Sequence, residues 1–166
     1  MIEPLLPGDG PRLRSIRLRA LADAPDAFAT TLAASEGRPP EAWEAQVREL
    51  PTFVWREGDA DLGMVRVAPH DRDVVVGYLI SLWVAPEARG RGVGAALVDA
   101  AVAWAREAGL RRLLLDVGEH NAAARRLYER RGFVATGAAG ALPPPRAHLC
   151  ELEMAVDLRD ADAGPG

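Results

Sequence analysis

The sequence predicts one α/β domain of the α+β kind, with a single mixed, mostly antiparallel sheet of six to seven strands and helices on both faces. Three observations predict this class. The chain has 166 residues, the size of one domain. Short strand-like segments alternate with segments of helical period along the chain. A glycine-rich loop joins a strand to a helix near the middle of the chain. We therefore expect one domain over residues 1–158 and a disordered tail over residues 159–166.

The first half of the chain predicts a strand, two helices and then three strands. Apolar residues at helical spacing mark the first helix, and a proline pair opens the second, as is typical of a helix N-terminus. Residues between the helices predict a loop or a short helical turn. In order, the segments are a strand over residues 1–6, a helix Pro11–Leu21, the turn Phe28–Ser35, a helix from Pro39-Pro40 through Val47, and strands Thr52–Arg56, Asp61–Val67 and Val74–Val84.

The second half predicts two further helices and three further strands. Glycines are placed to end both helices, at Gly109 and Gly132. A run of aliphatic residues predicts a central strand between these helices. In order, the segments are the loop Ala85–Gly92, a helix Val93–Ala108, a strand Arg112–Val117, a helix from Asn121, a strand Phe133–Thr136 and a strand His148–Leu158.

Composition excludes several classes of function. All 20 basic residues are arginines, so mechanisms that need a lysine amine are excluded. The single Cys150, which the strand pattern predicts to be buried, excludes a disulfide framework and a cysteine-rich zinc site, and His70 and His148 lack metal-ligand spacing. The apolar runs are too short to span a membrane, so we expect a soluble, cytoplasmic protein without metal or membrane contact.

The segment Arg89–Gly94 predicts an anion-binding loop. Its glycines allow unusual backbone conformations, and the helix that follows offers free N–H groups and the positive end of its dipole. Residues 81–137 contain nine arginines against six acidic residues, which favours an anionic cofactor. The acidic surplus elsewhere favours a cationic acceptor. The alternative is that this glycine-rich loop only connects a strand to a helix and binds no ligand.

The same segment also matches a dinucleotide-binding fingerprint, Gly90-x-Gly92-x-x-Ala95 with Asp116 downstream. This alternative predicts an NAD(P)-dependent oxidoreductase. Such a loop begins at the end of its strand, whereas five residues follow Val84 before the first glycine. The arginine-rich surface also suggests a nucleic-acid module, but the isoelectric point near 5.4 argues against nucleic acid as a partner.

Two motifs resemble the GNAT superfamily of acetyl-CoA-dependent N-acetyltransferases. The first is Trp83–Gly94, with Arg89-x-x-Gly92-x-Gly94 at its centre, and it is similar to the acetyl-CoA signature. The second is Asn121-x-x-Ala124-x-x-Leu127-Tyr128-Glu129-x-x-Gly132-Phe133, at the family's spacing. Together with the predicted strands that flank them, they cover residues 74–137, in the order and on the elements that the family has.

The resemblance implies a transfer of the acetyl group from acetyl-CoA to a primary amine of a small molecule or peptide, by direct attack and without metal. The pantetheine would lie along Leu82 and Val84, and Tyr128 would place its hydroxyl near the thioester sulfur. Asn121 and Ala124 would contact the pantetheine from the other side. The pyrophosphate would rest on the loop formed by Arg89, Gly90, Arg91, Gly92, Val93, Gly94 and Ala95.

Several alternatives stay open at this point. Asn121 is also a helix N-cap by position, and Tyr128 is also a core aromatic by spacing. The sequence does not identify the general base, for which Glu36, Asp116, His120 or a water molecule are candidates. A catalytically silent CoA-binding regulator fits the same motifs. A homodimer through the last strands also stays open.

Overall fold

The computed structural model describes residues 1–159, which form one seven-stranded sheet in the order β1-β2-β3-β4-β5-β7-β6. The neighbouring strands are antiparallel except for β4 and β5, which are parallel. The strands are β1 Ile2–Pro4, β2 Thr52–Glu57, β3 Ala60–Pro69, β4 Val76–Val84, β5 Arg112–Gly118, β6 Val134–Ala141 and β7 Cys150–Asp157. The predicted mixed sheet is confirmed.

Five α-helices cover both faces of this sheet. They are α1 Gly10–Asp23, α2 Leu32–Glu36, α3 Pro40–Glu49, α4 Val93–Glu107 and α5 Ala122–Arg130. Strand β3 shows how the faces divide, because successive side chains on a strand point to opposite sides. A side chain at Gly63 would meet Leu97 of α4, whereas Arg66 bonds Gln46 of α3.

A single hydrophobic core joins the sheet to these helices. Trp43, Leu97, Leu113 and Phe133 are among its fully buried large side chains. Helix α4 is the crossover between the parallel strands β4 and β5, and its apolar face packs on β3 and β4. This packing fixes the N-terminus of α4 beside the end of β4.

The predicted and the observed elements differ in the last two strands, β6 and β7. Strand β6 continues past Thr136 because Gly137, with φ of +90°, takes up a bulge, after which pairing with β7 resumes at Ala139. Strand β7 begins at Cys150, which is exposed, so the prediction of a buried cysteine is wrong. Cys150 pairs with Ala141, at the end of the β6–β7 ladder.

The predicted tail over residues 159–166 lies, apart from Arg159, outside the described residues. Within residues 1–159, none of the helices is both long and apolar enough to cross a membrane.

Candidate active site

The two parallel strands in the middle of the sheet part from each other, and a cleft opens between them. Strands β4 and β5 pair only where residues 76–78 face residues 112–114. Beyond Tyr78, β4 keeps to β3, while β5 stays paired with β7 as far as Gly118. The resulting cleft has a volume of about 330 Å³.

An irregular residue in β4 borders this cleft. Ser81 has a φ of +58°, a left-handed conformation that a residue with a side chain rarely adopts. The regular register between β3 and β4 is broken at the same place, between Met64 and Arg66. Such bulges are common beside functional sites because they redirect backbone and side chains.

The loop between β4 and α4 presents a row of free backbone donors. Gly90 and Gly92 have φ values of +72° and +79°, and Gly92 is the N-cap of α4. Within residues 1–159, the six backbone N–H groups from Gly90 to Ala95 make no hydrogen bond, and the helical bonds begin with Ala96. Free N–H groups at a helix N-terminus, together with the helix dipole, form an anion-binding site.

The two arginine side chains of this loop are already paired within the protein. Arg89 forms an ion pair with Asp23 and also donates to the carbonyl of Val84, at 3.0 Å. Arg91 forms an ion pair with Glu57. The loop therefore offers its backbone as the preformed anion site, while the arginines hold it in place.

Asp23, at the end of α1, connects this loop to α1 and β4 through hydrogen bonds. Its carboxylate accepts from Trp83 Nε1 at 2.9 Å and from Arg89. Together these donors hold the pKa of Asp23 below its usual range, the bond from Trp83 contributing most. The carboxylate thus stays charged and links α1, β4 and the loop.

Helix α5 forms the opposite wall of the cleft. Asn121 caps this helix, its side-chain oxygen accepting from the N–H of Ala124 at 3.2 Å, so the predicted N-cap is confirmed. Tyr128, only 6% exposed, packs at 5.7 Å from the ring of Phe133 and also lines the cleft. Burial raises the pKa of its hydroxyl, which therefore stays protonated and can donate a hydrogen bond.

Acidic residues lie at the floor of the cleft, where β5 pairs with β7. Asp116 and Glu151 both line it. Burial, followed by the charge of Glu153, raises the pKa of Asp116; burial, followed by the charge of Asp116, raises that of Glu151. Carboxylates with raised pKa values are better proton acceptors at neutral pH, and in a cleft they are candidates for a general base.

The structure brings six of the sequence candidates to this cleft and leaves the others apart from it. Glu36 sits exposed on α2 and is not part of the lining. Sequence reasoning missed Glu151, which reaches the cleft only through its pairing with Gly118. The cleft is lined by Leu82, Asp116, His120, Asn121, Ala124 and Tyr128, whereas Val84 and the loop residues 89–95 lie beyond its lining. Among residues 1–159, there is no cluster of three or more metal-ligating side chains.

Parted parallel strands, with a row of free N–H groups at the end of one of them, are an arrangement that suits a phosphorylated ligand in the gap. Comparison with known proteins narrows this class. The Acetyltransferase (GNAT) family model matches residues 18–133. The chain therefore belongs to the GNAT family of acetyltransferases.

Two curated relatives are mycothiol acetyltransferases. The one from Thermobispora bispora is 33% identical over 127 residues, which are 72% of this chain and 41% of the relative. The one from Cellulomonas flavigena is 29% identical over 176 residues, covering 99% of this chain and 49% of the relative. The chain thus spans less than half the length of these relatives.

Solved structures share the whole fold. A GNAT acetyltransferase from Streptococcus pneumoniae superposes with a TM-score of 0.81 at 21% identity, over 95% of this chain and 98% of its own. A ribosomal-protein-alanine N-acetyltransferase from Brucella melitensis gives 0.78 at 25% identity, over 95% and 99%. An acetyltransferase from Salmonella typhimurium, solved with acetyl-CoA, gives 0.78 at 22% identity, over 100% and 97%.

The dinucleotide alternative is not supported. A turn, Pro86–Ala88, separates Val84 from the glycines, and the sheet has only one parallel pair of strands within residues 1–159. A dinucleotide-binding sheet is mostly parallel, and its first glycine follows the strand directly.

Proposed function

We propose that this chain transfers the acetyl group of acetyl-CoA to an amine in the cleft between β4 and β5. The observation that carries the proposal is the row of six unpaired N–H groups from Gly90 to Ala95 at the end of β4. The first N–H groups of a helix lack intrahelical partners, and here the positive φ values of Gly90 and Gly92 extend the row into the loop, where the donors and the helix dipole together favour an anionic ligand. The pyrophosphate of acetyl-CoA has the charge and the number of acceptor oxygens to use it.

The remaining cofactor contacts follow from where the loop lies. With the pyrophosphate on the loop, the pantetheine arm extends along Leu82 and Val84 into the gap between the strands. Asn121 and Ala124 border the gap on the side of α5, and the acetyl group comes to rest near Tyr128. Gly94 allows α5 to pack close to the start of α4, because a Cβ there would meet Leu127 at 3.2 Å.

In the reaction, the neutral acceptor amine attacks the thioester carbonyl and forms a tetrahedral intermediate. Its collapse breaks the carbon–sulfur bond and releases the CoA thiolate. Tyr128, protonated because burial raises its pKa, donates a hydrogen bond to the leaving sulfur. In this proposal the amine proton passes to a carboxylate of the cleft, Asp116 or Glu151, directly or through water.

The test is the release of CoA from acetyl-CoA in the presence of primary amines. A thiol reagent detects the product, and mass spectrometry identifies the acetylated amine. Cys150 is exposed and reacts with the same reagent, so a blank without acceptor sets the baseline. We expect CoA release that depends on the amine. Binding of acetyl-CoA without turnover across a broad amine panel would instead favour the silent CoA-binding regulator.

Two finer expectations also belong to this proposal. A cytoplasmic enzyme without metal is consistent with the described helices and with the chemistry of direct attack. The homodimer through the last strands stays a prediction.

A further inference from the structure

A second cavity, of about 210 Å³, adjoins the cleft just described. The two share four lining residues, so they lie side by side. These residues are Arg17, Thr30, Ile80 and Ser81. An acceptor that extends from Tyr128 past Ser81 would enter the second cavity.

The second cavity carries three positive charges and no negative one. Arg17 of α1, Arg38 and Arg66 of β3 line it, and no Asp or Glu of the described residues does. Among the ion pairs of residues 1–159, none involves these three arginines. This distinguishes them from Arg89 and Arg91, which have acidic partners.

Two of the three cations are deeply buried. Arg17 is 8% exposed and Arg66 is 4% exposed. Burial lowers the pKa of each to about 10, with a smaller contribution from neighbouring arginines, so both remain charged at neutral pH. A buried charge without an opposite charge is costly, and proteins normally keep one only where a partner binds.

The same wall has four buried donor atoms without an acceptor. They are Arg17 Nη1, Trp43 Nε1, Gln46 Nε2 and Arg66 Nε, and all four residues line the second cavity. Other contacts fix the two buried guanidinium groups: Arg17 lies over the ring of Phe28 at 4.6 Å, and Arg66 donates to Gln46 at 3.0 Å. The cavity therefore presents preorganised donors, and these four atoms have no acceptor among the described residues.

We propose that the acceptor amine carries an oxyanion, a carboxylate or a phosphoryl group, and that the Arg17–Arg38–Arg66 cavity binds it. The inference rests on the proposed acetyl transfer, since it identifies the acceptor of that reaction. The amine then faces Asp116 and Glu151 in the first cleft while the oxyanion is held in the second cavity. Amino acids and amino phosphates have this bipolar character. The proposal departs from the cationic acceptor that the charge distribution along the sequence predicts.

The test compares matched acceptors in the CoA-release assay. One arm pairs free L-amino acids with the corresponding L-amino acid amides, and a second pairs phosphoethanolamine with ethanolamine. The removal of a charged hydrogen-bond acceptor from a site of buried donors is expected to lower kcat/KM by about 10- to 100-fold. A preference in either arm supports the proposal and identifies the oxyanion. Equal rates within both pairs, with turnover intact, overturn it and leave the acetyl transfer standing.

Variants assign the preference to the cavity. Arg17→Gln is expected to reduce the ratio of kcat/KM for the anionic acceptor to kcat/KM for its uncharged partner by about 10-fold or more. Arg38→Gln removes an exposed charge at the same cavity and serves if Arg17→Gln fails to fold. Arg14→Gln, an exposed arginine on the same helix, is the matched control. A preference that survives both cavity variants overturns the assignment.

A binding measurement separates this inference from the proposed function. The melting temperature of the wild-type protein is measured with the preferred anionic amine and with its uncharged partner, without acetyl-CoA. We expect a shift with the anionic compound alone, absent in Arg17→Gln and retained in Arg14→Gln. If this shift is observed but the protein releases no CoA with any amine, the oxyanion site is supported and the acetyl transfer is refuted. No shift for the anionic compound would refute the oxyanion site.

Discussion

Gly92→Ala tests whether the loop backbone binds the phosphates of acetyl-CoA. Gly92 has a φ of +79°, and a Cβ built on it meets no atom within 4 Å. The added methyl group therefore clashes with nothing in the protein, and the cost of the change is confined to the backbone. Left-handed alanine costs roughly 1 kcal/mol relative to glycine, which lowers Tm by about 2–4 °C in a chain of this size.

The substitution should weaken acetyl-CoA binding more than it lowers the stability of the fold. If the variant keeps the left-handed conformation at position 92, the new methyl group stands in the open space beside the loop, where the phosphates are proposed to lie. If the backbone relaxes instead, the N–H groups of Val93 and Gly94 turn away from that space. The loss of one or two charge-assisted hydrogen bonds predicts a Kd for acetyl-CoA raised about 10-fold or more.

The matched control lies at the other end of the same helix. Gly109 has a φ of +81°, and a Cβ there also meets nothing within 4 Å. Gly109→Ala should therefore lower Tm as much as Gly92→Ala does and leave the Kd unchanged. Isothermal titration calorimetry of both variants with acetyl-CoA measures the difference. Equal Kd values for the two variants would refute the placement of the phosphates on the loop.

Three other perturbations test the chemistry of the cleft. Tyr128→Phe should lower kcat by about 100-fold or more, with the Kd for acetyl-CoA within about 2-fold, and an unchanged kcat removes Tyr128 from the mechanism. Glu153→Gln should move the acidic limb of the kcat/KM–pH profile to lower pH, because the Glu153 charge raises the pKa of Asp116; an unmoved limb argues against Asp116 as the base. Arg146 donates to three carbonyls of residues 25–29 at 2.6–2.8 Å, so Arg146→Ala should raise the acceptor KM several-fold without weakening acetyl-CoA binding. Weakened acetyl-CoA binding would show that this segment supports the cofactor instead.

The parts of the site that the sequence predicts are those set by local backbone requirements. The glycine-rich loop predicts unusual backbone conformations and a free helix N-terminus, and both are present, with positive φ values at Gly90 and Gly92. Asn121 is recognisable as a cap because a short polar side chain directly before a helix has one favourable partner, the N–H of Ala124.

The parts that the sequence does not predict depend on contacts between distant segments. Glu151 reaches the cleft because β7 pairs with β5, which no local pattern specifies. Arg17 and Arg66 are buried although arginine is normally exposed, so the sequence pattern alone gives them no role. A role is indicated only by the structure, in which both arginines line one cavity without acidic partners. The strand predicted over residues 133–136 is too short because the glycine and alanine residues that continue β6 have weak strand propensity.

Acetyl-CoA binding to the wild-type protein tests the central claim most directly. The melting temperature is measured with acetyl-CoA, CoA and NADH separately, each at about 100 times the expected Kd. Ligand binding at that level adds roughly 2.7 kcal/mol to stability, or about 5–10 °C in Tm. The account predicts this shift with acetyl-CoA and CoA and none with NADH. A shift with NADH alone, or with none of the three, would contradict it.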